Sequence, residues 1–177
     1  LIPLAAELGS DVPFALVGGT AVGRGRGDQI AFALTRGEFH WVLALSDGAL
    51  ATPKVYAEIE RLRSDAAVPD PEIADDVLRA VRTGDADALG KALSNDLQRA
   101  TLSLMPSLSA LLELGPEHGA LGSIVSGSGP TCAFLVADED AALELTVALS
   151  ASGLCRTVRR ASGPVAGATV VNRSGPV

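Results

Sequence analysis

The 177-residue sequence has few of the residues that build disulfide frameworks or metal clusters. Its two cysteines, Cys132 and Cys155, lie in apolar runs and are too few for a disulfide framework. Because free thiols persist in a reducing compartment, we expect a cytoplasmic protein. The two histidines, His40 and His118, have no cysteine or carboxylate at ligand spacing, so no metal site is predicted.

Positive charge is also scarce. The chain has 14 Lys and Arg residues against 21 Asp and Glu residues, a formal net charge of −7. Nucleic acids are bound by clustered cations, so we expect no nucleic-acid partner. After Glu144 the sequence contains no acid, whereas Arg156, Arg159, Arg160 and Arg173 follow. We interpret this basic segment as a solvated strand face and tail, with a nucleotide-facing surface as the alternative.

Long apolar runs are missing as well. No stretch approaches the roughly 18 residues that a membrane span requires, and no signal-type segment is found, so we expect no membrane partner. The hydrophobic fraction of 47% is nevertheless enough for a core. The chain opens without Met in "LIPLAAELG", which has the pattern of the last turns of a helix. We therefore expect an N-terminal half upstream of Leu1.

Residues 1–36 are predicted to be the end of that upstream domain. After the opening helix, Ser10 to Phe14 reads as a short constrained connection, because Pro13 disfavours helix at the preceding residue. Two strands should follow, joined by a turn near Gly25 to Asp28.

Residues 37–177 are predicted to form a second domain of the α+β class. The expected elements are a strand at 39–46, helices starting at Thr52-Pro53, Asp70-Pro71 and Asp85, a helical stretch over 95–114 broken at Pro106, strands at 122–126 and 132–136, a helix over 138–152 and a strand in 155–161. Thr52 is expected to be the N-cap of the first of these helices, with Pro53 at the first helical position. The order strand, helices, strand, strand, helix, strand is that of a ferredoxin-like split βαβ fold with inserted helices.

The segment "IVSGSGPTCAFLVA" places Ser126, Gly127, Ser128 and Gly129 between two apolar runs. Phosphate loops usually lead from a strand into a helix, and this loop leads into a strand. Its glycines would still permit a small nest of backbone N–H groups that binds an anion. A plain hairpin turn and a phosphate contact therefore both stay open. Neither serine has a histidine nearby, which disfavours a serine hydrolase.

Two further side chains have alternative interpretations. Asp11 is a lone carboxylate in a stiff segment, where it serves either as a cap or Asx-turn residue or as a catalytic carboxylate. Tyr56, the only tyrosine, lies one turn into a capped helix and is either a core residue or a platform for a ligand ring.

Four segments together resemble the GHMP-superfamily kinases. They are "LGSDVPFALVGGTAVGRGRGD", "ATPKVY", "SNDLQ" and "IVSGSGPTCAFL", in this order. The pattern is most similar to the C-terminal portion of the members that act on a cytidyl-diphosphate methylerythritol, and the Ala-, Gly- and Arg-rich composition resembles the actinobacterial versions. The resemblance implies ATP-dependent phosphorylation of the substrate 2-hydroxyl in non-mevalonate isoprenoid precursor synthesis, with ATP as phosphoryl donor and Mg²⁺ as cofactor.

The resemblance also implies roles for individual residues. Asp11 would be the catalytic carboxylate that accepts the proton of the attacking hydroxyl. Tyr56 would stack on the substrate cytosine, and Thr52 and Arg26 would be close to the substrate. The loop 126–129 would lie on the ATP-phosphate side of the site.

The sequence departs from the family in two places. It lacks the motif with the catalytic lysine and the "P-x-x-x-G-x-x-x-S-S/A" loop that makes most ATP-phosphate contacts. Both belong to the expected N-terminal half, so these 177 residues alone should be inactive. The alternatives are another GHMP kinase of the homoserine or mevalonate type, and a non-catalytic ferredoxin-like ligand-sensing module.

Overall fold

The computed structural model describes residues 1–64 and 74–171. Their helices are α1 (Ile2–Leu8), α2 (Val12–Val17), α3 (Thr52–Arg63), α4 (Asp75–Thr83), α5 (Ala86–Ala92), α6 (Gln98–Leu104), α7 (Leu108–Glu117) and α8 (Glu139–Ser152). Their strands are β1 (Ala21–Arg24), β2 (Gln29–Phe32), β3 (Phe39–Leu45), β4 (Gly122–Val125), β5 (Thr131–Val136) and β6 (Thr157–Gly163). The helix start predicted at Asp70-Pro71 lies outside the described residues.

Strands β3 to β6 form one antiparallel sheet in the order β4-β5-β3-β6. Of these four strands, the first along the chain is β3, and it lies between the third, β5, and the fourth, β6, as the split βαβ order requires. This confirms the predicted α+β, ferredoxin-like fold. No helix within residues 1–64 and 74–171 combines the length and apolar character needed to cross a membrane.

The core lies on both faces of this sheet because side chains alternate along a strand. From β3, Val42 and Ala44 pack into the main cluster beneath α7 and α8. The neighbouring Phe39 and Trp41 instead pack with residues of α4 and α5. A third cluster joins α3 to α6 through Val55, Ile59 and Ala100.

Both cysteines are free thiols, as expected. Cys132 is fully buried in the main cluster. Burial raises the pKa of the Cys132 thiol to about 12, so the group stays protonated and packs as a small apolar side chain. Burial also raises the pKa of Cys155.

Three predicted element bounds were wrong. Residues Val12 to Val17 form a short helix where a constrained connection was expected, since proline near the first helical position needs no N–H partner. The helix expected from Asn95 begins at Gln98, because the Asn95 side chain is bonded elsewhere. Helix α7 does not stop at Leu114 and continues through Pro116.

Strands β1 and β2 form a separate two-stranded sheet whose turn spans Gly25 to Asp28, as predicted. The segment 1–36 meets the tail of the chain at a close backbone crossing. A Cβ on Gly18 would lie 2.1 Å from the backbone nitrogen of Gly167. Only residues without a side chain permit such an approach. At the other end of the segment, the N–H of Arg36 donates to the carbonyl of Val81 at 3.1 Å.

We expect Gly115→Ala to lower the free energy of unfolding by about 1–3 kcal/mol through overpacking. Gly115 is buried in α7, and a Cβ there would lie 2.3 Å from Cδ1 of the buried Phe134. Denaturant unfolding of both variants measures the change. The control is Gly163→Ala, where a Cβ would meet nothing within 4 Å. Equal stability of the two variants would contradict the packing argument.

Candidate functional site

Residues 126–129 form the turn between β4 and β5. The N–H of Ser126 donates to the carbonyl of Thr131 at 2.8 Å, and the N–H of Gly129 donates to the carbonyl of Ser126 at 2.9 Å. Gly127 and Gly129 have φ of 57° and 75°, which L side chains rarely adopt. The loop therefore has the hairpin geometry that was one of the two alternatives.

This hairpin does not exclude an anion site. Among the described residues, the N–H groups of Gly127 and Ser128 have no acceptor within the protein. Two successive free N–H groups beside a glycine with positive φ form the kind of concavity that binds anions. A Cβ on Gly127 would meet nothing within 4 Å, so this part of the loop is open to an approaching group.

The segment before α6 holds the loop from one side. The side-chain amide of Asn95 donates to the carbonyls of Val125 and Gly127, each at 2.8 Å. The side-chain oxygen of Gln98 accepts from the N–H of Val125 at 2.8 Å. Sequence reasoning did not assign a site role to either residue. Since the contacts join residues 27 to 32 positions apart, no local pattern predicts them.

Two hydroxyl groups hold the loop from other directions. The hydroxyl of buried Thr101 donates to the carbonyl of Leu97 at 3.0 Å and lies 3.3 Å from the carbonyl of Ser128, so its single proton is shared between the two acceptors. The hydroxyls of Thr52 and Ser128 lie 3.0 Å apart, within hydrogen-bonding distance. Thr52 was expected to be the N-cap of α3, but Ala51 holds that position and Thr52 is the first helical residue. Its hydroxyl is therefore directed to the loop.

Tyr56 lies one helical turn after Thr52 on α3. Its side chain is 53% exposed, which is unusual for a core aromatic and argues against the core alternative. The buried residues of the same helix are Val55 and Ile59, so Tyr56 projects from a different side of α3.

Glu58 fixes the helix that carries Thr52 and Tyr56. It accepts two hydrogen bonds of 2.7 Å from Arg61 and a further one from the hydroxyl of Ser103 in α6. Hydrogen bonding by Arg61 and then by Ser103 lowers the pKa of Glu58 to about 2. The side chain of Glu58 is only 11% exposed. This network joins α3 to α6, the helix that also supplies Gln98 and Thr101.

Asp11 holds the N-cap position of α2, but its side chain makes no capping hydrogen bond. The one side-chain contact is a 3.4 Å hydrogen bond from the hydroxyl of Ser10. Asp11 lines a cavity of about 250 Å³ with Phe14 and four residues of the β1–β2 hairpin, namely Ala21, Gly23, Gly27 and Ile30. The carboxylate is thus exposed beside an otherwise apolar hollow. Asp11 is therefore the N-cap residue of α2 by position, but its side chain does not cap the helix.

Arg26 lies in the β1–β2 turn, where its guanidinium pairs with Asp28 at 3.1 Å. This hydrogen bond lowers the pKa of Asp28. Among the described residues, no hydrogen bond or ion pair joins Arg26 or Asp11 to Thr52, Tyr56 or the loop. The structure thus brings Thr52 and the loop into contact, places Tyr56 on the same helix, and leaves Asp11 and Arg26 together in the segment 1–36.

Metal-ligating side chains do not cluster here. Within residues 1–64 and 74–171, no group of three or more His, Cys, Asp or Glu side chains is arranged to hold a metal ion.

The sequence matches known proteins in the part that builds this site. The family model described as GHMP kinases C terminal matches residues 77–154, which include Asn95, Gln98 and the loop. Residues 77–154 are thus similar to the C-terminal domain of GHMP kinases. Together with the actinobacterial relatives described next, this match confirms the resemblance found in the four sequence segments.

Two curated proteins illustrate the similarity. The 4-diphosphocytidyl-2-C-methyl-D-erythritol kinase of Thermobifida fusca is 58% identical over 97% of this chain and 55% of that protein. The protein of the same name from Rhodococcus jostii is 55% identical over 95% of this chain and 54% of that protein. The chain thus spans about half the length of the curated relatives it matches.

Solved structures agree. A crystal structure of 4-(cytidine 5'-diphospho)-2C-methyl-D-erythritol kinase is 27% identical, with a TM-score of 0.73 over 91% of this chain and 56% of that chain. A homoserine kinase from Cytophaga hutchinsonii is 16% identical, with a TM-score of 0.66 over 88% of this chain and 51% of that chain. At that identity the second likeness shows the fold alone.

Glu58→Gln should flatten the dependence of stability on pH in acid. An ordinary glutamate titrates near 4.5 and Glu58 in the folded protein near 2, so its favourable contribution is complete above about pH 4.5 and is lost as the pH falls through about 2. Free energies of unfolding at several pH values between about 2 and 7 measure this slope. A matched control is Glu60→Gln on the same helix. If Glu58→Gln and the wild type lose stability in parallel, Glu58 does not carry the effect.

Proposed function

We propose that the protein phosphorylates the 2-hydroxyl of 4-diphosphocytidyl-2-C-methyl-D-erythritol with ATP, in non-mevalonate isoprenoid precursor synthesis. The observation that carries this proposal is the identity of 58% and 55% to curated proteins of that name over nearly the whole chain. Among the solved structures, the kinase of the cytidyl substrate shares 27% identity with this chain, whereas the homoserine and mevalonate kinases, which represent the rival GHMP activities, share 16% and 18%.

The chemistry requires one group that removes a proton. The 2-hydroxyl oxygen forms a bond to the γ-phosphorus of ATP, the bond from that phosphorus to the ADP oxygen breaks, and the hydroxyl proton leaves. We assign this proton to the carboxylate of Asp11. Its freedom from any capping bond and its place beside a cavity of about 250 Å³ support the assignment. A lysine from the expected N-terminal half would work with it.

The loop would supply positioning and charge stabilisation, which dominate the catalysis of phosphoryl transfer. The two free N–H groups of Gly127 and Ser128 and the hydroxyl of Thr52 are suited to phosphate oxygens. Mg²⁺ binds few protein carboxylates and otherwise phosphate oxygens and water, and the described residues offer no carboxylate cluster for it, so the phosphate oxygens of ATP would supply most of its ligands from outside the protein. Bound there, the ion would neutralise phosphate charge.

Tyr56 would stack on the cytosine ring, as its exposed position allows. Thr52 would reach the substrate from the start of the same helix. Arg26 is a weaker candidate because Asp28 already holds its guanidinium. Its contact with substrate remains a prediction.

The exposed surface of the segment 1–36 supports an N-terminal half as its partner. Large apolar side chains are exposed throughout this segment, and they are Leu1, Ile2, Leu4, Leu8, Phe14, Phe32 and Leu34. A two-stranded sheet is marginal by itself, and exposed apolar groups of this density mark an interaction surface. We propose that the N-terminal half covers this surface, completes the β1–β2 sheet and adds the lysine and the principal ATP-phosphate loop. The whole enzyme would act in the cytoplasm, without nucleic-acid or membrane partners.

Asp11→Asn, made in a protein of the relatives' full length, should lower kcat on the order of 10²- to 10⁴-fold and leave the KM for ATP nearly unchanged. The amide keeps the shape of the side chain but cannot accept the proton. Steady-state phosphorylation of the cytidyl substrate measures both constants. Ser10→Ala, which removes only the 3.4 Å contact to Asp11, is the control and should retain most activity. An Asp11→Asn enzyme with more than about a tenth of wild-type kcat would remove Asp11 from the mechanism.

Tyr56→Ala should raise the KM for the cytidyl substrate on the order of 10-fold, since stacking on a base contributes about 1–3 kcal/mol. Tyr56→Phe keeps the ring and should stay near the wild-type value. Parallel assays with homoserine and mevalonate separate the rival activities. Indifference of the KM to the loss of the ring, together with turnover of either rival substrate, would favour the other GHMP kinases.

A further inference from the structure

The edge of the main sheet lies at β4, beside the loop. In the order β4-β5-β3-β6, one side of β4 pairs with β5, and on the other side no strand from residues 1–64 or 74–171 pairs with it. Ser126 bonds to Thr131 across the ladder, so Val125 belongs to the next, non-hydrogen-bonded pair with Cys132. The N–H and carbonyl of Val125 therefore point outward from the sheet.

Two side chains satisfy these outward groups. Gln98 accepts from the N–H of Val125, and Asn95 donates to its carbonyl, both at 2.8 Å. The second amide hydrogen of Asn95 goes to the carbonyl of Gly127, and the oxygen of Asn95 accepts from the N–H of Leu97 at 3.0 Å. One N–H of the Asn95 amide thus bonds to the end of β4 and the other bonds to the loop.

The planarity of the peptide bond gives this contact a further consequence. In a trans peptide the carbonyl of Gly127 and the N–H of Ser128 point in opposite directions. Since Asn95 holds the carbonyl on its own side, the N–H of Ser128 must point away from Asn95. The peptide between Val125 and Ser126 follows the same rule. Asn95 holds its carbonyl, that of Val125, and its N–H, that of Ser126, points the opposite way and donates to the carbonyl of Thr131.

The following peptide is fixed independently. The N–H of Gly129 donates to the carbonyl of Ser126 at 2.9 Å. The carbonyl of Ser128 lies 3.3 Å from the hydroxyl of Thr101, which it shares with the carbonyl of Leu97. The peptide between Gly127 and Ser128 is therefore the one whose orientation depends on Asn95. Its N–H is also one of the two loop donors that have no acceptor among the described residues.

We propose that Asn95 is a positioning residue for phosphoryl transfer, which orients the N–H of Ser128 as a donor to a phosphate oxygen. The assignment rests on the proposed function, because that function brings a phosphate to the loop. Asn95 itself does not touch the substrate; it acts through the carbonyl of Gly127. Gln98 fixes the strand end and is not required for the orientation of the Ser128 N–H.

The test compares Asn95→Asp with Gln98→Glu in a protein of the relatives' full length. Asn95→Asp keeps the shape but replaces two donors with an acceptor facing two carbonyls. Gln98→Glu adds the same charge three residues away and keeps the acceptor that the N–H of Val125 uses. We expect Asn95→Asp to lower kcat/KM for ATP on the order of 10²-fold, as loss of one preorganised donor does. The KM for the cytidyl substrate should stay within about twofold, and Gln98→Glu should stay within about threefold in kcat/KM for ATP.

Two outcomes would overturn the proposal. One is an Asn95→Asp enzyme whose kcat/KM for ATP, per folded molecule by circular dichroism, stays close to that of Gln98→Glu. The other is a rise in the KM for the cytidyl substrate as large as the loss in kcat/KM for ATP, which a general structural defect produces. If Asn95→Asp does not fold, Asn95→Ser is judged by the same two criteria, since it keeps one shorter donor.

A second measurement separates this proposal from the proposed function. Hydrogen exchange at the N–H of Ser126 reports on loop order without any substrate, because Asn95 holds the carbonyl of the same peptide. Asn95→Asp should raise this exchange rate at least about tenfold while β5 keeps its protection. If the wild-type protein shows no kinase activity but Asn95→Asp still raises the exchange rate, the proposed function is rejected and the role of Asn95 in holding the loop is retained. Unchanged exchange would reject the role of Asn95 whatever the activity.

Discussion

The central position of β3 between β5 and β6 is the constraint on which the rest of the structure depends. Alternation along β3 sends Val42 and Ala44 to one face and Phe39 and Trp41 to the other, so helices must cover both faces. The same order leaves β4 at the edge of the sheet, with outward backbone groups that need partners. Because helices occupy the faces of the sheet, the outward groups of β4 are bonded by the segment between α5 and α6 and by the first residue of α6.

The partners of that edge also organise the candidate site. Asn95 and Gln98 come from one short stretch of chain and hold the end of β4, and Asn95 also holds the turn that follows it. Helix α3 approaches from another direction and brings the Thr52 hydroxyl to Ser128. Glu58 ties α3 to α6, so the two elements that hold the loop are also joined to each other. The loop is thus fixed through its carbonyls, while two of its N–H groups stay available.

The sequence pattern was sufficient to predict the order of the strands and helices, because each strand of the main sheet is a short apolar run. The break predicted at Pro106 also separates two helices, α6 and α7. The sequence pattern failed where a side chain has two possible uses. Thr52 before a proline reads as a cap, yet its hydroxyl bonds to Ser128, which lies 76 residues away in the chain. From the sequence alone, Asn95 was noted only within the segment "SNDLQ" and was given no role of its own. Its two carbonyl partners come together only after β4 and β5 have paired. Local propensity carries no information about such contacts.

The residues assigned to chemistry lie in two parts of the chain, and backbone contacts decide how these parts meet. Asp11 belongs to the segment 1–36, whereas Thr52, Tyr56 and the loop belong to the main sheet and its helices. The segment is tied to the remainder at the crossing of Gly18 with Gly167 and at the bond from Arg36 to Val81. Neither tie involves a functional side chain, so substitutions at Asp11 or Tyr56 leave both intact. The placement of the carboxylate relative to the loop is therefore a property of the backbone, and the chemistry of the side chains is separable from it.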